Sequence, residues 1–297
     1  MTRISQQTGV RPAHRGLRHP TVAFFALAFG IAWAAWVPVA AESRGYVDWP
    51  VPRSMAILVG AFAPTLAAIG LTAFNEGGPG LRRLLGRLLR WRVHVGWYVL
   101  ALLGPAALSL AGTSLYVVFG GALPDFAHPP FIDEYPLPPE FSSVTPWVFL
   151  PLVFVQYLLF SSPMGEEIGW RGYALPRLQS RLTALAASIA LGMIWGVWHL
   201  PLALTRGHPI SEEFFGWFLL GIIADAVLFT WLYNSTGGSL LLVVVFHTSI
   251  AVTGLFLGTA NALPLLELLL RWIAVGVVVV VFGAANLSRA ERQVARS

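Results

Sequence analysis

Apolar positions along the chain fall into eight long blocks, Thr21–Ala41, Ser54–Phe74, Val93–Phe119, Trp147–Pro163, Leu182–Leu204, Phe214–Tyr233, Leu240–Gly258 and Leu265–Ala285. A helix rises about 1.5 Å per residue, so crossing a hydrocarbon core of about 30 Å takes roughly 20 mostly apolar residues. The blocks come close to that length, Trp147–Pro163 being the shortest. In hydrocarbon the backbone must satisfy its own hydrogen bonds, which makes each block a helix. The pattern therefore predicts an all-α, polytopic transmembrane bundle of about eight spanning helices. One transmembrane domain covers residues 21–285, between short polar tails at 1–20 and 286–297.

Composition sharpens this picture. Hydrophobic residues make up 56% of the 297 and charged residues 11%, where soluble domains carry about a quarter charged. Mean hydropathy is +0.69. A soluble globular class is excluded, and the expected location is the cell membrane. No cysteine is present, which rules out disulfides and thiolate metal sites.

The net charge is +5, and every basic residue is arginine. These arginines sit between the apolar blocks, which fits charge that sets topology and not a nucleic-acid partner. Arg3, Arg11, Arg15 and Arg18 precede the first block. Arg82, Arg83, Arg87, Arg90 and Arg92 follow the second, Arg171, Arg177 and Arg181 the fourth, and Arg289, Arg292 and Arg296 the last. The longest intervening connection, Gly120–Pro146, has no arginine but carries Asp125, Asp133, Glu134 and Glu140. Cytoplasmic loops hold the basic excess, so both termini are expected inside, which an even number of spans requires. Val39-Ala40-Ala41 could serve as a leader cleavage site, but the apolar stretch before it exceeds a leader's core of about 7–15 residues, so it reads as an uncleaved first helix.

Two connections have their own pattern. Leu81, Leu84, Leu85 and Leu88 share a helical face opposite Arg83, Arg87 and Arg90, which suits either a helix lying on the inner leaflet against anionic headgroups or an ordinary basic loop. Ser235-Thr236-Gly237-Gly238 is a tight turn between antiparallel helices.

Ionisable side chains inside apolar blocks cost several kcal/mol unless they pair or serve a function. Glu166, Glu167, His199, Asp225 and His247 are such residues. Each has a bland explanation: an interhelical hydrogen bond for a histidine, an arginine or indole partner for Asp225, an interfacial position for the glutamates. Glu166, His199 and His247, however, come from three different helices, and the charge topology puts all three toward the cytoplasmic ends. His199 lies deep in its block, so that helix either starts late or bends, for which Gly192, Gly196 and Pro201 leave room. Two imidazoles and a carboxylate suit water-splitting chemistry. They would hold a divalent metal, Zn²⁺ or another, that acidifies bound water while a second carboxylate serves as base. Without a metal, the glutamate is the base and the imidazoles donate to the developing oxyanion.

Three segments together resemble the CAAX prenyl protease and bacteriocin-processing family of intramembrane proteases. Gly165-Glu166-Glu167-Ile168-Gly169-Trp170-Arg171 resembles its first motif, Glu-Glu-x-x-x-Arg. Trp195-Gly196-Val197-Trp198-His199 resembles the second, an aromatic residue four before histidine, with Trp195 where Phe is usual. Val245-Phe246-His247-Thr248-Ser249-Ile250-Ala251 resembles the third, in which Asn or Asp follows His by four, a place taken here by Ala251. The matching core runs from about 145 to 258. The resemblance implies that Glu166 activates water, that Glu167 supports it or holds Arg171, and that Arg171 orients the carboxylates or receives the substrate's C-terminal end. It implies that His199 and His247 complete the site as metal ligands or oxyanion stabilisers, with Glu166 a third candidate metal ligand.

The expected function is that of an intramembrane endopeptidase. It would cut a membrane-associated or lipidated peptide near the cytoplasmic face, with membrane lipids and a membrane-associated peptide or protein substrate as partners. Ala251 favours an alternative, a catalytically weak member acting as a membrane scaffold or immunity-type binding protein, with Thr248 a candidate replacement donor. A small transporter is a third reading, drawn from Asp225 and the buried histidines.

Overall fold

The computed structural model describes residues 17, 19–141, 143–258 and 264–295. Thirteen α-helices and short 3-10 turns, without a strand among the described residues, account for the regular structure. They are α1 (Pro20–Glu42), α2 (Arg53–Ala61), α3 (Ala63–Leu85), α4 (Val95–Val118), α5 (Pro130–Glu134), α6 (Leu150–Phe160), α7 (Ser162–Glu167), α8 (Leu175–Gln179), α9 (Ala184–Trp198), α10 (Leu200–Ala203), α11 (Phe215–Ser235), α12 (Leu240–Leu257) and α13 (Pro264–Phe282).

Every predicted apolar block coincides with helix. Among the described residues, six helical runs are long and apolar enough to cross a membrane: α1, α4, Pro146–Gln179, α11, α12 and Leu265–Phe282. A seventh is formed if α2 and Ala63–Leu89, bent by 42°, act as one. The block Leu182–Leu204 yields only the 15-residue α9, which starts on a Thr183 cap that accepts the Ala186 N–H and stops at His199. The chain is a multi-pass membrane protein built as a helical bundle.

The fourth block is longer than the apolar pattern indicates. Hydropathy drops at Glu166-Glu167, which reads as an exit from the membrane, but the helical run continues through both glutamates to Gln179. It passes from α7 through a wide π-helical segment, Ile168–Ala174, into α8. The glutamates therefore lie inside the bundle, with the helix running past them.

Close backbone packing seats this run. A Cβ at Gly169 would stand 2.5 Å from Pro64 backbone atoms, and one at Gly165 2.7 Å from the Ala61 carbonyl oxygen. Small residues of this kind let helices approach in a membrane, where no hydrophobic effect drives them together. Gly169→Val is expected to lose at least about 1–3 kcal/mol through overpacking, read as a lowered Tm in detergent; an unchanged Tm would contradict this contact.

Helix directions define two ends. The arginine-rich end gathers the C-termini of α3, α8, α11 and α13 with the N-termini of α4, α9 and α12. The opposite end carries Arg44, Arg53 and Arg206 on its connections. The amphipathic segment after Leu81 is helical, but Arg87 turns inward instead of facing headgroups, donating to the Gly172 carbonyl at 2.8 Å and the Tyr233 hydroxyl at 2.6 Å. Arg82 and Arg83 stay exposed. The C-terminal segment is not a free tail through residue 295. Ala184 N–H donates to Ala285 O, Ala295 N–H to Pro176 O, and Arg292 Nε to Gln179 O. The expected N-terminal basic residues Arg3, Arg11, Arg15 and Arg18, and Arg296, lie outside the described residues.

Candidate active site

Glu166 and Glu167 occupy the last turn of α7, which follows a break at Ser161, extended at φ −128°, ψ −171°. Pro163 lies in the first turn of α7, where its missing N–H costs no helical hydrogen bond. The π-helical segment beyond carries Arg171. Single π turns recur at functional sites because they shift side chains out of the regular α register.

Glu167 is the hub of a buried charge chain. Its Oε1 accepts from Arg171 Nη1 at 2.9 Å and faces His247 Nδ1 of α12 at 2.8 Å. Both Glu167 and Arg171 are 0% exposed. The guanidinium lies between the Trp195 ring of α9 and the Phe229 ring of α11, at 4.4 and 4.3 Å from their centroids. Cation–π contacts of this sort reach about 2 kcal/mol when desolvated. Arg171 Nε and Nη2, Glu167 Oε2 and the Thr248 hydroxyl are buried without a partner. Of the roles the resemblance implies for Glu167 and Arg171, this contact matches Glu167 holding Arg171; the guanidinium itself is closed off from any open space.

Glu166 is held separately. The Trp195 indole N–H donates to its Oε2 at 2.6 Å, a bond that Phe in this position could not make. The Trp195 carbonyl faces His199 Nδ1 at 2.9 Å. His199 sits at the break between α9 and α10, one residue before Leu200-Pro201. Trp198 and Phe218 pack edge-on against its ring, and Trp36 stacks on it. His199 and His247 both lie within 6 Å of the Trp195 ring, so the structure brings the two imidazoles to one level. The site lies well inside the apolar length. At about 1.5 Å per residue, Glu166 is roughly 20 Å of chain rise from the end of α8 and His247 roughly 10 Å from the start of α12.

A cavity of about 410 Å³ adjoins it, lined by Trp195, His199, His247 and Phe218 at one end and by Glu213 and Trp217 toward the other. Glu166, Glu167, Arg171 and Ala251 are not among its lining residues; the carboxylates stand behind Trp195 and His247. The remaining wall is charged. Asp225 pairs with Arg271 at 3.4 Å, Arg271 with Glu267 at 3.7 Å, and the Ser109 hydroxyl donates to Glu267 at 3.1 Å. The arginine partner considered for Asp225 is thus Arg271. Sequence reading missed Phe229, Glu213, Glu267 and Arg271, although a Glu267–Arg271 pair four apart inside an apolar block was a visible signal. On the loop that carries Glu213, burial together with neighbouring Arg53 pushes His208 down to about 4, so that imidazole is neutral at pH 7.

The cavity runs toward the arginine-poor end, whereas the expectation placed the site near the arginine-rich, cytoplasmic end. Glu213 just precedes α11 and Trp217 lies in its first turn there, and Glu267 and Arg271 lie in the first half of α13.

One feature suits both imidazoles to a metal. Each has its Nδ1 engaged by a carbonyl or a carboxylate, the outer-shell partner metal-binding histidines use, leaving Nε2 for a ligand. The third nominated ligand does not join them. Among the described residues, no group of three His, Cys, Asp or Glu side chains is placed to hold a metal ion, and Glu166 Oε2 is bound to Trp195. As they stand, Glu166, His199 and His247 do not fit a metal centre.

Residues 147–253 match the family described as type II CAAX prenyl endopeptidase Rce1-like. The chain is also 29% identical over 198 residues to "CAAX prenyl protease 2" of Methanococcus maripaludis, an overlap covering 64% of this chain and 68% of that protein. The segment that carries Glu166, Glu167, Arg171, His199 and His247 therefore lies within the stretch that matches the Rce1-like family model, in a multi-pass membrane protein similar to a CAAX protease.

Proposed function

We propose that the protein is an intramembrane endopeptidase whose general base is Glu166 and whose oxyanion is stabilised from His247. The observation that carries this reading is the convergence of two buried glutamates, a buried arginine and two histidines from three helical segments beside one cavity. Glu166, aligned by the Trp195 N–H, takes a proton from water. The hydroxide attacks the carbonyl carbon of the scissile bond. Because Glu167 only accepts, His247 Nδ1 is a donor, and in its imidazolium form His247 also presents an Nε2–H to the oxyanion. The Trp195 carbonyl likewise makes His199 Nδ1 a donor, so a neutral His199 offers the Nε2 lone pair to the attacking water. As the tetrahedral intermediate collapses, the C–N bond breaks and the amine leaves with the proton from Glu166. Arg171 holds Glu167, which in turn orients His247. The substrate class is a membrane-associated or lipidated peptide or protein.

The metal expectation remains a separate proposal, and no step above runs through one. Elemental analysis of the purified protein decides it. About one Zn²⁺ or other divalent ion per chain, lost in both His199→Ala and His247→Ala, supports a metal. Less than a tenth per chain, with proteolysis intact after chelation, removes it.

The function is tested by expressing wild type and Glu166→Ala and mapping new peptide termini across the membrane proteome. Termini generated only by the wild type are the expected result. Ala251, which supplies no amide one turn after His247, favours the second reading of a non-enzymatic scaffold. Identical termini in both strains, with full biological function in the mutant, would establish that reading.

A further inference from the structure

Four observations bear on which side of the membrane feeds the site. From His247, Ile250 and Asp225 near the middles of α12 and α11, the cavity extends toward the arginine-poor end, along the end of α9, the start of α11 and the first half of α13. Its outermost residues, Glu213 and Trp217, are exposed. Toward the arginine-rich end, polar closures fill the bundle. Arg87 ties Gly172 to Tyr233, Gln179 and Asn234 exchange hydrogen bonds, and Gln179 Nε2 also donates to the Gln293 carbonyl. Phe229, Leu232, Tyr233 and Asn234, which separate the site from that end, are 0–1% exposed.

Charge then orients the bundle. Among the described residues, Arg82, Arg83, Arg87, Arg90, Arg92, Arg177, Arg181, Arg289 and Arg292 gather at the closed end, and Arg44, Arg53 and Arg206 lie at the open one. The arginine excess marks the cytoplasmic side.

We propose that the site is served from the non-cytoplasmic side, so that water and the substrate enter through the mouth at Glu213 and Trp217. This deepens the endopeptidase reading and rests on it for the substrate: the cleaved bond belongs to an extracytoplasmic or outer-leaflet segment of a membrane-anchored polypeptide. The wall sets Glu213, Asp225 and Glu267 against Arg271 and the His247 imidazolium, an acidic excess at the mouth and wall that suits a neutral or basic entering segment. An acidic segment would meet an excess of like charge in a low-dielectric space.

The natural absence of cysteine makes the test direct. Single-cysteine variants Glu213→Cys and Trp217→Cys at the mouth and Arg82→Cys at the other end are exposed to a membrane-impermeant maleimide, in intact cells and in inverted vesicles. The expected result is labelling of either mouth variant in intact cells, and of Arg82→Cys only in inverted vesicles. The second mouth variant guards against one that fails to insert. Mouth cysteines labelled only from the cytoplasmic side, or from neither side, would overturn the proposal. The labelling needs no proteolysis, so it stands or falls apart from the enzymatic reading. Where wild-type-specific termini are found, they are expected in extracytoplasmic segments; termini confined to cytoplasmic segments would overturn the substrate assignment while leaving the protease intact.

Discussion

Glu167→Leu is expected to cost about 3–5 kcal/mol of stability, because it strands Arg171 as a buried charge without its counter-ion. The guanidinium has no exposure, and its Nε and Nη2 already lack partners. Its ion pair with Glu167 and the faces of Trp195 and Phe229 are all that hold it. The contrast is Arg83, 55% exposed and paired with Glu76 at the arginine-rich end, where loss of the partner costs about 0–1 kcal/mol. Thermal unfolding of Glu167→Leu and Arg83→Ala in one detergent makes the comparison. The double variant Glu167→Leu, Arg171→Leu should recover much of the loss, since the penalty belongs to the unpaired charge and coupled neighbours are not additive. Arg171→Lys should not preserve stability, because an ammonium neither stacks between two rings nor shares the guanidinium's plane. A loss below about 1 kcal/mol for Glu167→Leu would show that this ion pair does not anchor the site.

The sequence made the order of helices legible because apolar length is a local property. Each block could be located without knowing its neighbours, and three motifs marked the segments that meet at the site. What stayed hidden was pairing between distant segments. A glutamate pair just past an apolar run reads as the end of a span, so the apolar pattern stops at Pro163. Arg171 and His247 shelter Glu167 inside the bundle, so the helix continues. The depth of His199 was a visible puzzle with two answers offered, a late start or a bend. The helix stops at His199 and the chain breaks there into α10. Arg271 went unweighed because one arginine barely changes the hydropathy of its block. Its meaning appears only with Asp225, forty-six positions away.

Trp195 offers the most informative measurement of the chemistry, because it departs from the family pattern and touches the proposed base directly. Glu166→Gln removes that base while keeping an acceptor for the indole, and is expected to lower kcat by about 10²–10⁴, the usual contribution of general-base catalysis. Trp195→Phe keeps a ring over Arg171 but deletes the 2.6 Å bond to Glu166. A hydrogen bond to a charged group contributes about 1.5–3 kcal/mol, so kcat should fall about 10–100-fold through a misaligned carboxylate. The fall in kcat is the readout, because Trp195 itself lines the cavity and its replacement also reshapes the wall that sets KM. In Glu166→Gln, adding Trp195→Phe should cost almost nothing further, because the bond then positions no base. Equal losses from Trp195→Phe in both backgrounds would mean that the indole acts on the cavity's shape and not through Glu166.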